Sequence, residues 1–268
     1  MTAPAMTSVP TTGVDLNGSV AWVTGGTAGV GLAIARALLA VGAKVVISGR
    51  DPNRGHLALE RLGHPSASVV LGDCADPQQA GTMVEQIIAL HGRLDIVVAS
   101  GGAVDEKPGL FHEVSDAHFT DVYRHQFLNR VFPVRAALAA LRERGGSVLL
   151  IGTDAGRHAT VGEAMHGSLG AATIMLTKTL AREFSRWDIR VNCLALTFTA
   201  GTEAFEAVMA RGDWLTTLYE KAVRRFPRGR PPLAAEVAQA ALFLVSAQST
   251  QVTGQTISVN GGLSFGGW

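Results

Sequence analysis

The stretch TGGTAGVG, residues 24–31, joins the β-branched run SVAWVTG (19–25) to an Ala/Leu-rich segment of helical periodicity that starts near residue 29. A glycine-rich turn at a strand-to-helix junction has a particular physical use. Its glycines allow a tight reversal, and they let backbone N–H groups approach a pyrophosphate lying at the positive end of the helix dipole. Standing alone, such a turn is only moderately specific, so its surroundings decide the fold.

The surroundings repeat the pattern. Short β-branched runs follow at 43–49, 67–73, 94–100, 146–152, 189–195 and 255–261, and helical periodicity fills about 29–41, 51–62, 76–91, 116–143, 163–185, 203–225 and 234–246. Strands alternating with helices predict βαβ units around a parallel sheet, and the near-continuous apolar strands predict burial on both faces. The expectation is an α/β, Rossmann-type doubly wound parallel sheet of about seven strands flanked by helices, in one domain over residues 18–268. Residues 197–232 break the rhythm with scattered aromatics (Phe198, Phe205, Trp214, Tyr219, Phe226) and a closing RFPRGRPP. That segment reads either as a lid over a ligand cleft or as a surface helical hairpin.

Composition narrows the partners. With 268 residues, 47% of them apolar, the chain can bury a sizeable single core. A net charge of +1 with no like-charge block predicts no nucleic-acid partner. Cys74 and Cys193 lack metal-site spacing and point to a reducing compartment, and His112, His118 and His125 lack the paired carboxylates or i, i+4 spacing of a metal site. No metal is expected. Residues 1–17 read as a flexible leader without a basic or apolar targeting region, and no later apolar stretch reaches membrane-spanning length unbroken. A cytoplasmic protein without a membrane partner is expected.

The glycine spacing, Gly25, Gly29 and Gly31, resembles that of the short-chain dehydrogenase/reductase family. The resemblance runs over roughly residues 15–265: a Gly-Asp pair at 72–73, a glycine pair after the fourth strand, RAALAALRERGGSVLLIG, LTKTLAREF, IRVNCLA and the closing VTGQTISVNGGLSF. It implies a dinucleotide held by Gly25, Thr27, Gly29, Val30 and Gly31. Arg50 follows Gly49 where an acidic residue would grip an unphosphorylated ribose, so NADP(H) is expected before NAD(H), with Arg54 assisting. The alternative is that Arg50 merely solvates a helix entry. Asp73 would accept from the adenine amino group beside the Cys74 backbone, or else cap the local turn. Where the family usually carries Asn-Asn-Ala-Gly, this chain has Ala99, Ser100, Gly101 and Gly102, a backbone that can still pass close to a nicotinamide ribose.

The same resemblance leaves the reactive end altered. The family's carbonyl-polarising serine falls on Thr153, its tyrosine on His166, its lysine on Gly170, and its helix asparagine near Gln126 with an uncertainty of one or two residues. The chain is therefore identified as an atypical member lacking the Tyr-x-x-x-Lys pair. Lys178 lies about three helical turns, roughly 18 Å, beyond His166 and cannot substitute. An imidazole starts near pKa 6.5 and exchanges protons without the cation a phenol needs. His166 could thus be a rebuilt acid/base with Thr153 on the carbonyl and Asp154 or Glu163 orienting the ring. His166 could also merely fill a vacated pocket, and Thr153 could bond the local backbone.

Three functions stay open. The first is an NADP(H)-dependent oxidoreductase of a carbonyl or alcohol on a small, apolar substrate. The second is a non-redox enzyme such as a cyclase, dehydratase or isomerase. The third is an inactive subunit in a hetero-oligomer with an active homologue. Small residues at Gly167, Gly170, Ala171 and Ala172 would let helices approach in a homo-oligomer, a dimer or tetramer.

Overall fold

The computed structural model describes residues 13–102 and 109–265, so most of the expected leader and the last three residues of the expected domain lie outside the described residues. Seven strands are present: β1 (Val20–Thr24), β2 (Lys44–Gly49), β3 (Ala67–Leu71), β4 (Ile96–Ala99), β5 (Gly146–Thr153), β6 (Ile189–Leu196) and β7 (Thr256–Val259). They form one parallel sheet in the order β3-β2-β1-β4-β5-β6-β7. The chain winds outward from β1 to β3, then returns to the other side of β1 with β4. That reversal opens a crevice at the carboxyl ends of β1 and β4.

Helices cover both faces. On one side α1 (Gly29–Ala40) and α9 (Ala234–Val245) pack Ile34, Leu38 and Leu244 against Val45, Ile47 and Leu194 of the sheet. On the other, α3 (Pro77–His91), α5 (Asn129–Arg142) and α6 (Ala164–Phe184) bury Met83, Ile87, Leu141 and Phe184 against Trp22 and Leu150. Trp22 lies wholly in the core because its indole N–H donates to Ser48 Oγ at 3.0 Å. Local signals start and stop these helices. Asp51 accepts from Asn53 and Arg54 backbone N–H groups ahead of α2 (Pro52–Leu62), and Gly63, at φ 57°, ends it.

Two expected helices are interrupted. The 116–143 segment divides into α4 (Asp116–Tyr123), a π-helical turn (Arg124–Leu128) and α5, so one extra residue enters the helix beside the crevice. The 203–225 segment divides into α7 (Glu203–Met209) and α8 (Trp214–Val223), where Gly212 turns at φ 68° and Asp213 caps α8 by accepting from Leu215 and Thr216. These two helices belong to an excursion with a pinned neck. The Ala200 N–H donates to Pro232 O at 2.9 Å, and Arg230 pairs with Glu236 at 2.7 Å. No helix among the described residues is long and apolar enough to cross a membrane.

Candidate active site

The turn after β1 is shaped by backbone approaching backbone. Gly25, at φ 60°, lies against Gly101, and a Cβ on Gly25 would sit 2.5 Å from Gly101 Cα. A Cβ on Gly31 would sit 2.4 Å from Gly25 O, so the first turn of α1 rests directly on the loop. Thr24 Oγ1 donates to Ser100 O at 2.8 Å and accepts from Ser100 N–H at 3.0 Å, which fastens the ends of β1 and β4 together. The residue before α1, Ala28, offers no side-chain cap and the first turn carries no acid. The N–H groups there are left for an anion, as a pyrophosphate site requires. Gly49 ends β2 where a Cβ would meet Thr27 Cγ2 at 2.9 Å. Small residues thus admit every close approach around the crevice.

The crevice encloses about 880 Å³ and is lined by Gly25, Thr27, Gly29, Val30, Gly31, Arg50, Asp73, Cys74, Gly101 and Gly102 among others. Ala99 differs from the expectation. It is wholly buried in the core as the last residue of β4, and Ser100 takes its place on the wall. At the far end Arg50 Nη1 donates to His125 Nε2 at 2.9 Å. Since arginine only donates, the other imidazole nitrogen carries the proton, and Asp121 Oδ1 lies 2.6 Å from it. Arg54 reaches Glu203 of α7 at 2.9 Å, and Arg61 reaches the same carboxylate at 3.1 Å. Asp73 caps the local turn, its Oδ1 accepting from Ala75 N–H at 2.9 Å, while Oδ2 pairs with Arg124 at 3.0 Å. Burial pushes the Cys74 thiol up to about 11, so it is no thiolate at neutral pH.

At the other end Gln126 lines the crevice, while Thr153 and His166 are not among its lining residues. Gln126 Nε2 is 3.1 Å from Gly102 O and 2.9 Å from His166 Nε2. An amide NH2 facing a carbonyl must donate, so it donates to both, and His166 carries its proton on Nδ1. Burial, the nearby His118 ring and the Arg130 charge, in that order, pull the His166 pKa down to about 4. Neither acid named for orienting this ring reaches it. Asp154 is buried and accepts from Ser258 at 2.6 Å, Ser264 at 2.9 Å and Asn260 at 2.5 Å, tying the turn to the C-terminal strand. Burial raises the Glu163 carboxyl, and burial followed by the Glu163 charge raises Tyr219 of α8. Thr153 Oγ1 accepts from Ala155 N–H at 3.2 Å, which leaves its O–H free to donate.

Two buried residues at this end escaped the sequence reading. Asn129 lines the crevice, and the Arg130 guanidinium lies beneath it. The extra residue of the π-helical turn sets which side chains of this helix face inward, and periodicity carries no trace of such a turn. Two of the small residues of α6 pack against the turn after β5. A Cβ on Gly167 would lie 2.8 Å from Ala155 O, and one on Gly170 would lie 2.6 Å from Thr153 Cγ2. Their close approach is to this chain's own turn.

A parallel sheet wound in this order, with a glycine turn where the order reverses, defines a Rossmann-type fold. The chain matches the family model described as enoyl-(acyl carrier protein) reductase over residues 25–264. It is 31% identical to the 3-oxoacyl-(acyl-carrier-protein) reductase of Escherichia coli strain K12 over 254 residues, 93% of this chain and 99% of that one. It is likewise 31% identical to the L-fucose dehydrogenase of Bos taurus, over 95% of this chain and 92% of that one. Among solved structures, a tryptophan variant of actinorhodin polyketide ketoreductase with NADPH superposes with a TM-score of 0.84 at 25% identity, covering 91% of this chain and 97% of that one. The chain belongs to the short-chain dehydrogenase/reductase family and is an oxidoreductase of that type.

Proposed function

We propose that this protein is an NADP(H)-dependent oxidoreductase of a carbonyl or alcohol on a small, largely apolar substrate, with Gln126, His166 and Thr153 in place of the family's usual proton-handling set. The observation that carries the reading is the Gln126 bridge. One amide, exposed to the crevice, donates to both Gly102 O and His166 Nε2 and thereby links the crevice wall to a neutral imidazole. The sequence has only two tyrosines, Tyr123 and Tyr219, and neither has a lysine four residues on.

The cradle suits the cofactor. A Cβ at Gly25 or Gly31 would fill the place where the backbone must come close, and Arg50 and Arg54 line the end where a ribose phosphate would need cations. When bound, the nicotinamide supplies or accepts the hydride. The chain's own residues handle the proton. The free O–H of Thr153 donates toward a carbonyl oxygen, and His166 Nε2, which at rest accepts from the Gln126 amide, takes the substrate's proton when that contact is exchanged for the hydroxyl. With a pKa near 4 the imidazole is uncharged at neutral pH, so at rest it has an open nitrogen and no second proton to give.

Nucleotide fluorescence titration tests the cofactor reading. NADPH is expected to bind about tenfold or more tightly than NADH, and Arg50→Ala to erase most of that difference. His166→Ala is expected to abolish turnover while NADPH binding stays intact. Equal affinities remove Arg50 from its role, and retained turnover removes His166. That neither Thr153 nor His166 lines the crevice favours a second reading, a cofactor-holding subunit that partners an active homologue. Its mark is saturable NADPH binding with no carbonyl turnover until a second short-chain dehydrogenase is added.

A further inference from the structure

Arg130 is a cation in an unusual place. The residue is buried at 8% exposure, and its acceptors are all uncharged: Gly101 O at 3.3 Å, Asn129 Oδ1 at 3.0 Å, and the carbonyls of Ile151 and Gln126. Among the described residues no carboxylate pairs with it. Holding a charge in the interior without a counter-ion costs several kcal/mol. An apolar side chain at this point of α5 would avoid that cost, so the charge calls for a use.

Its acceptors show where the use lies. Gly101 follows β4, Ile151 is in β5, and Gln126 stands in the π-helical turn, so one guanidinium fastens three segments that meet at the reactive end of the crevice. The facing helix cannot deliver such a charge. At Gly170, where the resemblance places a lysine, a Cβ would lie 2.6 Å from Thr153 Cγ2 and 3.0 Å from the Gly156 backbone. We propose that Arg130 is the fixed cation of the reactive end and a positioning residue, which from α5 holds the Gln126–His166 pair against the crevice in place of a lysine on α6. This rests on the functional reading above.

The charge also bears on the imidazole, after burial and the His118 ring. The titratable groups facing His166 among the described residues are His118 of α4 and Arg130 of α5, and both disfavour its protonation alongside burial. Removing the Arg130 charge therefore moves the titration of His166 upward, toward its ordinary value.

The test uses the full chain with 15N-labelled histidine, and reads the His166 tautomer and titration by NMR alongside NADPH affinity and turnover. In the wild type His166 is expected as the Nδ1–H tautomer, titrating well below the ordinary imidazole range. Arg130→Gln is expected to raise the midpoint by roughly one pH unit and, where a substrate is turned over, to lower kcat on the order of 10²-fold with little change in KM. Arg130→Lys, which keeps the charge, is expected to leave the midpoint in place and recover part of kcat. A folded Arg130→Gln protein with an unmoved midpoint overturns the proposal, as does an equal shift in the lysine and glutamine variants. If Arg130→Gln does not fold, the wild-type titration decides, and an ordinary midpoint refutes the proposal. Absence of carbonyl turnover in the wild type counts against the functional reading alone, since the titration is read without substrate.

Discussion

The two ends of the crevice are built from different materials. At the phosphate end the shape comes from main chain packed on main chain, with Gly25 against Gly101 and Gly31 against the Gly25 carbonyl. At the reactive end it comes from long side chains that converge from separate elements: Gln126 from the π-helical turn, Arg130 from α5 and His166 from α6. Backbone contacts have almost no room to adjust, whereas side chains can exchange helices and still meet. The phosphate end is therefore held to glycine throughout, whereas the reactive end keeps such a contact only where Gly156 meets Gly170 and can be rebuilt elsewhere with different residues.

The hardest test of this contrast is Gly31→Ala. The added Cβ would lie 2.4 Å from Gly25 O, a rigid backbone atom, so α1 must move off the loop. A loss of about 2–3 kcal/mol of stability is expected, seen as a Tm lower by roughly 5–10 °C, together with loss of the saturable NADPH response. An alanine variant that still binds NADPH with wild-type affinity would break the distinction between the two ends.

Gly170→Ala sharpens the contrast at the other end. Its Cβ would meet the Thr153 methyl at 2.6 Å and the Gly156 backbone at 3.0 Å. Part of the obstruction is therefore a side chain that can be removed. The single variant is expected to cost about 1–2 kcal/mol in denaturant unfolding, with NADPH affinity unchanged. Adding Thr153→Ser is expected to return about 0.5–1 kcal/mol as a coupling between the two sites. Strict additivity would mean that the threonine methyl and the missing side chain at position 170 are unrelated.

This difference in materials also explains what the sequence disclosed. The inner strands were legible because their apolar runs are buried on both faces, with β1 buried at every position, and the half-exposed edge strands β3 and β7 were legible from their β-branched residues. The cradle was legible because close backbone approach demands glycine at fixed spacing. Arg130 was not, because an arginine in a helical pattern gives no sign of burial and a π-helical turn alters the inward face without a composition signal. Asp154 misled for a related reason. Twelve residues from His166 in sequence, it is bound instead to Ser258, Asn260 and Ser264 at the other end of the chain. Sequence proximity is a poor guide where helices carry neighbours apart.

The smallest expected effect lies where the two ends share a helical excursion. Glu203 at the start of α7 holds Arg54 at 2.9 Å and Arg61 at 3.1 Å, and both Glu203 and Arg54 line the crevice. All three side chains are more than half exposed, so these pairs contribute little to stability. Their charge still bears on an incoming phosphate, because a carboxylate beside Arg54 offsets the cation that a 2′-phosphate would use. Glu203→Gln is expected to tighten NADPH by about twofold to fivefold, to leave NADH within error, and to change stability by no more than about 0.5 kcal/mol. The gain should shrink as salt is raised, since the pair sits in solvent. An equal gain for NADH would place the effect in the movement of α7 rather than in charge at the phosphate end, and would show that the excursion acts on both ends of the crevice alike.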